Sequence, residues 1–243
     1  MKILAIIQAR MGSTRLPGKI LKEVNGKPLL LYQLERVKKS KLIDKIVIAT
    51  TTNKNDDLIV SFCEQYNVDY YRGSEEDVLA RYYEASQQFG GEVIVRLTSD
   101  CPIIDPSIID KTIKYYIDNL PYYDYVSNTI ERTYPRGLDT EVFSEKALEK
   151  TYLKANLERD REHVTAYMYS NPQNFNIGFI TCNQNFGKYR WTVDTNEDFQ
   201  LIELILKKLY KENHIFSMND VINILDKNPE WMQLNIHIEQ KKL

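Results

Sequence analysis

The stretch Ile6-Ile-Gln-Ala-Arg-Met-Gly-Ser-Thr-Arg-Leu-Pro-Gly-Lys19 begins inside the first apolar run of the chain and ends in a loop with three cations, Arg10, Arg15 and Lys19. Residues 2–8 form an apolar run suited to burial on both faces, as in a central parallel strand. A strand that opens into a small, cationic loop is a means of gripping a polyphosphate. Gly12 and Ser13 leave backbone N–H groups uncovered, so a ligand can approach closely. Pro17-Gly18 then turns the chain and directs Lys19. The loop is not a P-loop: five residues separate Gly12 from Gly18-Lys19 where that motif has four, and Ile20 stands where it needs Ser or Thr. It contains no Gly-x-Gly-x-x-Gly either.

Working outward, strand and helix patterns alternate. Residues 28–39 carry Leu29, Leu30, Leu34 and Val37 at helical spacing behind Pro28. Strands are expected over 45–50, 69–71 and 92–98, with helices over 56–66 and 77–89. Such alternation predicts βαβ units, right-handed crossovers and a parallel sheet whose ligands bind beyond the carboxyl ends of the strands. From about residue 120 the rhythm changes. Strands are expected over 122–127, 137–143, 175–181 and 189–193. Helices are expected over 148–155, 160–169, 196–210 and 218–225. The fold class is therefore α/β, a mainly parallel central sheet flanked by helices with a small α+β insertion. A chain of 243 residues holds one such domain. We divide it into parts over 1–119, 120–190 and 191–243, which the family resemblance given below implies to be a nucleotide-binding half, a sugar-binding and dimerising part, and a closing part.

Bulk composition excludes several classes. Thirty-two Lys and Arg balance 34 Asp and Glu for a net charge of -2, which argues against a nucleic-acid or membrane surface. Cys63, Cys101 and Cys182 are too few and scattered for a disulfide framework or a cysteine zinc site, and three dispersed His do not suggest zinc. There is no secretory leader pattern and no run of eighteen apolar residues, so the expected compartment is the cytoplasm. Seventeen Tyr exceed the needs of one site, and the aromatic segment 121–134 suits core, substrate wall or subunit interface.

Two further constellations accompany the opening loop. Arg96-Leu-Thr-Ser-Asp100-Cys-Pro102 puts a carboxylate just after a strand, at the sheet edge that carries the loop. Asp105, directly before Pro106, is the better helix cap, which leaves Asp100 available to hold Mg²⁺ against phosphates. Tyr189-Arg-Trp-Thr-Val-Asp194-Thr-Asn-Glu-Asp198 repeats the pattern. There Glu197 and Asp198 read as helix-dipole and capping residues, and Asp194 as the second metal ligand.

Together these pieces resemble the cytidylyltransferases that make CMP-activated acidic sugars, the synthetases for CMP-ketodeoxyoctulosonate and CMP-nonulosonates, and most of all the spore-coat polysaccharide biosynthesis protein F group. The resemblance also covers Arg72-Gly-Ser-Glu-Glu-Asp-Val-Leu-Ala-Arg-Tyr82, Tyr134-Pro-Arg-Gly-Leu-Asp-Thr-Glu-Val-Phe143 and Arg161-Glu-His-Val164. It implies a Rossmann-like nucleotide-diphospho-sugar transferase fold and a homodimer. It also implies that Asp100 and Asp194 form a Mg²⁺ pair, and that Arg10, Ser13, Arg15 and Lys19 hold the triphosphate, with Ala9, Gly12 and Thr14 completing the loop. Arg72 and Ser74 are placed over the base or ribose, Ser74 alternatively in a turn capping the helix at Asp77. Arg136, Asp139, Glu141, His163 and Arg190 fall on the sugar side, where Arg136 suits a carboxylate because a guanidinium pairs with it through two parallel hydrogen bonds. One position departs: the ketodeoxyoctulosonate enzymes have Gln two residues before the first metal Asp, where it helps read the base, and this chain has Thr98 at that nucleotide-side position, which bears on cytosine specificity and not on the reaction type.

The activity implied is nucleotidyl transfer between CTP and an acidic sugar, with Arg15, Lys19, Asp100 and Asp194 at the reacting phosphates. The alternatives are a transferase for another sugar or nucleotide, or a glycosyltransferase on a similar sheet. The latter usually carries Asp-x-Asp, and Thr98 occupies its first position. A nucleotide-sugar sensor is a third reading, against which the intact Arg15, Lys19, Asp100 and Asp194 argue.

Overall fold

The computed structural model describes residues 1–212 and 214–240, so the last three residues of the closing part lie outside the described chain. In chain order the elements are β1 (Ile3–Gln8), β2 (Glu23–Val24), β3 (Lys27–Pro28), α1 (Leu29–Val37), β4 (Lys45–Thr51), α2 (Asp57–Gln65), β5 (Asp69–Gly73), α3 (Val78–Phe89), β6 (Val93–Thr98) and α4 (Pro106–Asp118). They continue with β7 (Tyr125–Ser127), β8 (Glu141–Ser144), α5 (Glu145–Lys154), α6 (Glu158–Glu162), α7 (Ala166–Ser170), β9 (Ile177–Phe179), α8 (Asn196–Leu209), α9 (Met218–Lys227) and α10 (Pro229–Met232).

Seven strands form one sheet in the order β5-β4-β1-β6-β8-β7-β9, and β2 with β3 makes a separate antiparallel hairpin. β1 pairs in parallel with both β4 and β6, so its side chains meet protein on either face. Ile3, Ala5 and Ile7 enter one apolar cluster, with α1 residues such as Leu30 and Leu34 and α4 residues Ile109 and Ile113. Leu4 and Ile6 enter another, with Leu79 and Tyr82 of α3. Both are fully buried, and burying each such side chain stabilises the fold by about 1.5–3 kcal/mol. That two-sided demand is why β1 reads as a continuous apolar run.

β8 runs antiparallel to β6 and to β7, and breaks the parallel rhythm where the sequence pattern changes. Asp105 caps α4 by accepting the Ser107 amide at 2.9 Å. The strands expected over 122–127, 137–143 and 175–181 are shorter, as β7, β8 and β9, and two further segments differ in kind. The helix expected over 160–169 is split into α6 and α7, because Val164, fully buried, adopts φ 56° between them. The strand expected over 189–193 forms no ladder; it touches the rest through the single parallel bridge Arg136–Arg190 and isolated hydrogen bonds. The third apolar cluster, built on Trp191, Tyr134 and helices α8 and α9, lies against this segment. Among the described residues no helix is long and apolar enough to cross a membrane.

Candidate active site

The opening loop leaves β1 still in register, since Ala9 N–H donates to the Ala49 carbonyl at 3.0 Å. Asp56 then clamps it: its carboxylate accepts Met11 N–H at 2.7 Å and the Thr51 hydroxyl. The Met11 carbonyl accepts both Ser13 N–H at 2.8 Å and Gly18 N–H at 3.2 Å, which closes the loop on itself. Ser13 Oγ accepts Leu16 N–H at 3.3 Å. Gly18 sits at φ 66°, a left-handed conformation that a side chain disfavours, and starts the short 3-10 turn Lys19–Leu21. The Gly12 and Thr14 amides make no hydrogen bond among the described residues, and both residues are exposed.

Lys19 points across the end of β1 to both carboxylates. Its Nζ lies 2.7 Å from Asp194 Oδ1 and 3.2 Å from Asp100 Oδ2. Burial works against the ammonium, but Asp100 and Asp194 outweigh it and its pKa is raised. Burial would likewise lift Asp100; Lys19 first, and hydrogen bonds after it, instead hold that carboxyl down at about 2. Arg15 approaches Asp194 Oδ2 at 3.0 Å. Arg10, further out, faces Glu75 at 3.6 Å.

Asp194 comes to Asp100 through the segment that failed to form a strand. Arg136 N–H donates to the Tyr189 carbonyl at 3.0 Å, Trp191 N–H to the Arg136 carbonyl at 2.8 Å, and Val193 N–H to the Asp100 carbonyl at 2.9 Å. The approach needs a glycine at 137, where φ is 97° and a Cβ would lie 2.6 Å from the Trp191 carbonyl carbon. Arg190 then fastens Asp194: Nη2 donates to it at 2.7 Å, while Nε and Nη2 hold Asp198 at 2.9 and 3.1 Å and Nη1 reaches Gln240 at 2.6 Å. The Arg190 fork, expected on the sugar side, is spent within the protein and orients Asp194. Asp198 is fully buried and also accepts the Asp194 and Thr195 amides at 3.0 and 3.1 Å and Asn235 Nδ2 at 2.9 Å. Its capping role, legible in the sequence, is joined by this hub role. Asn235, far along the chain, carried no signal.

The remaining candidates divide in two groups. Arg136 is half-buried, and among the described residues its guanidinium makes no hydrogen bond or ion pair; burial first, then Arg132, lowers its pKa while Asp139 opposes them. Asp139 is gripped by Arg132 at 2.7 and 3.0 Å, an arginine that the sequence pattern did not single out. His163 ends α6 with Nε2 3.7 Å from Glu162 Oε2. Glu141 is 6% exposed and its oxygens meet Arg96, the Thr165 hydroxyl and, at 2.8 Å, the Tyr125 hydroxyl, so it ties β6, β7 and the α6–α7 junction together. Arg72 also faces inward: it donates to the Thr51 and Asn53 carbonyls at 2.9 and 3.0 Å and pairs with Asp57 at 2.7 Å. Ser74 Oγ accepts Asp77 N–H at 3.1 Å, the capping alternative. Thr98 Oγ1 sits 3.5 Å from Cys101 Sγ, and its carbonyl accepts Gln33 Nε2 at 2.7 Å.

Two carboxylates, a lysine and an arginine meet beside a clamped glycine loop at the carboxyl ends of β1 and β6, the edge where α/β sheets take their ligands. A model of the cytidylyltransferases matches residues 4–240. The chain belongs to the cytidylyltransferase family. As such it is a nucleotidyltransferase enzyme. It is 34% identical over 235 residues to the spore coat polysaccharide biosynthesis protein SpsF of Bacillus subtilis, spanning 94% of this chain and 95% of SpsF. Its fold matches the structure of a cytidylyltransferase from Leptospira borgpetersenii with TM-score 0.92 and 35% identity, covering 99% of this chain and all of the other. A CMP:2-keto-3-deoxy-manno-octonic acid synthetase complexed with CTP aligns at TM-score 0.64 and 17% identity over 86% of this chain and 100% of that one, and shares the fold.

Proposed function

We propose that this cytidylyltransferase activates an acidic sugar, an ulosonic or nonulosonic acid, with CTP, giving a CMP-sugar and pyrophosphate for surface polysaccharide or glycan synthesis. The observation that carries it is the meeting of Lys19, Arg15, Asp100 and Asp194 beside the Gly12–Thr14 loop. The anomeric hydroxyl attacks the α-phosphorus of CTP, the new C–O–P linkage forms as the bond to the β-phosphate oxygen breaks, and the hydroxyl proton passes to solvent. The free amides of Gly12 and Thr14, with Arg10 and Ser13 at the rim, suit the triphosphate. Arg15 and Lys19, both beside Asp194, are suited to neutralise charge on the departing pyrophosphate. Positioning and electrostatics supply most of the acceleration, and no covalent intermediate is required.

The donor set fits Mg²⁺. Two hard carboxylates converge on one point, marked by the Lys19 ammonium, and phosphate oxygens and water complete the usual shell. Asp100 and Asp194 would hold the ion, which when bound supplies charge neutralisation at the reacting phosphate. Arg190 and Asp198 keep Asp194 aimed there.

Arg136, whose guanidinium makes no hydrogen bond or ion pair among the described residues, suits the sugar carboxylate, with Asp139 near enough to act on it, and His163 is assigned to the sugar as well. Arg190 and Glu141 act in this reading as supports, since their polar atoms are used inside the protein. Exposed Tyr122, Ile130 and Phe179, the last on the sheet-edge strand β9, support a homodimer, and three free thiols are in keeping with the cytoplasm. Pyrophosphate release measured with each of four nucleoside triphosphates, a panel of ulosonic acids and Mg²⁺ tests the reading. Release with CTP and one acid is expected; release with a neutral sugar 1-phosphate only would overturn it.

A further inference from the structure

Arg81 lies among the buried residues of α3 with Val78, Leu79, Ala80, Tyr82, Ala85 and Ser86, a mostly apolar set. It is 1% exposed. Its stem packs under Gly73, where a Cβ would stand 3.2 Å from Arg81 Cγ. Of its five N–H donors, one has an acceptor among the described residues: Nη1 meets the Ser74 carbonyl at 3.2 Å. Nε is buried with no acceptor among them. Among the described residues it forms no ion pair; of the neighbouring carboxylates, Asp56 accepts from Thr51 and Met11, and Glu75 from Asn53 at 3.0 Å with Arg10 at 3.6 Å. Burial lowers its pKa and the nearby Arg10 adds to that, against the opposing influence of Tyr82, Asp56 and Glu75.

A buried guanidinium with unmet donors is costly unless a ligand supplies the partner. Its place in the sheet says which part of the nucleotide that is. The order β5-β4-β1-β6-β8 puts Lys19, Asp100 and Asp194 on the β6 side of the opening loop, with Arg136 and Asp139 beyond toward β8. Arg81 lies on the other flank, under the β5–α3 turn, where the loop backs onto Glu75 so closely that a Cβ at Gly12 would stand 3.3 Å from its Oε1. A nucleotide with phosphates at Lys19 and its acceptor toward β8 leaves its base on the Arg81 flank.

We propose that Arg81 is the residue that reads cytosine in this protein, donating to the adjacent O2 and N3 acceptors of the pyrimidine. This rests on CTP as the nucleotide. An arginine only donates. Cytosine offers acceptors at both positions, whereas uracil carries N3–H and would confront a donor with a donor. A buried polar group left unmatched is what makes such a site discriminate. Arg81 thus takes up the task for which Thr98, lacking a carboxamide and turned to Cys101, is poorly equipped.

Titration calorimetry with Mg²⁺ and no sugar tests this on the wild-type chain and on Arg81→Met, using CTP, UTP and the triphosphate of pyrimidin-2-one riboside, which keeps O2 and N3 but has no 4-amino group. The wild type is expected to bind CTP and the pyrimidinone nucleotide within a few-fold, and UTP on the order of ten- to a hundredfold more weakly. Arg81→Met should bring CTP down to the UTP level and leave UTP unchanged. Equal losses for CTP and UTP would make Arg81 a support of the Ser74 turn and overturn the proposal. So would a wild type that binds the pyrimidinone as weakly as UTP, a comparison that decides the matter even if the variant does not fold. A wild type with no preference for CTP sinks the nucleotide reading and the Arg81 role together; a CTP preference that survives Arg81→Met sinks the Arg81 role alone.

Discussion

Lys19 Nζ lies 2.7 Å from Asp194 Oδ1 across 175 positions of sequence, and the same ammonium meets Asp100 at 3.2 Å. One cation therefore marks the point on which both candidate metal carboxylates converge. The pair is also an electrostatic unit of the fold: Lys19 and Asp194 are 12% and 13% exposed, so water screens them little.

Asp100→Asn and Asp194→Asn should each nearly abolish pyrophosphate release with Mg²⁺ present. Their stabilities should differ. Asp194→Asn leaves Lys19, Arg15 and Arg190 facing one another and should cost on the order of 1–3 kcal/mol in urea unfolding, more than Asp100→Asn, which loses one cation neighbour. Wild-type rates in both variants would refute the metal role.

In metal-free protein the Lys19–Asp100 pair should leave a pH signature. The folded pKa of Asp100 is depressed to about 2, so its contribution is full above the unfolded value near 4 and is lost as pH falls toward 2. Lys19 is shifted up, so its share is present below 10.5 and lost at higher pH. Acid unfolding followed by circular dichroism should show about 2 kcal/mol lost between pH 5 and 2 that is missing in Lys19→Met. An identical acid limb in the two proteins would exclude the pairing.

Arg136→Lys keeps the charge and removes the planar fork. Its Michaelis constant for the acidic sugar should rise roughly ten- to a hundredfold, with little change for CTP. Loss of nucleotide affinity instead would move Arg136 to the phosphate side.

Asp198→Asn tests the support behind Asp194. Asp198 is fully buried and accepts from Arg190, two backbone amides and Asn235. Removing its charge should destabilise the chain by roughly 3–5 kcal/mol. Turnover should fall further than CTP affinity, because Asp194 loses its aim and not its identity. Unchanged denaturation midpoints would contradict the hub.

The local chemistry of the chain was legible because it depends on neighbours in sequence. The apolar run at β1, the capping Asp105 before Pro106, the Gly18 turn that presents Lys19 and the acidic starts of helices follow from periodicity and turn geometry. Where tertiary contacts compete with propensity, the reading stopped short. Residues 189–193 are apolar enough for a strand, yet the close approach of Gly137 to Trp191 and the Val193–Asp100 hydrogen bond lay them between two loops, and that seating brings Asp194 to Lys19. Glu141 and Arg190, both suited by charge to a substrate, are used inside the protein because packing surrounds them with donors or acceptors before any ligand arrives. Arg81 shows the converse. It is an arginine on a mostly apolar helix face, visible in the sequence as an anomaly, and only the folded chain reveals that its Nε lacks a partner among the described residues. Sequence by itself determined which residues carry charge and where the backbone turns; the tertiary structure decided which charges are spent on one another and which are left for a ligand.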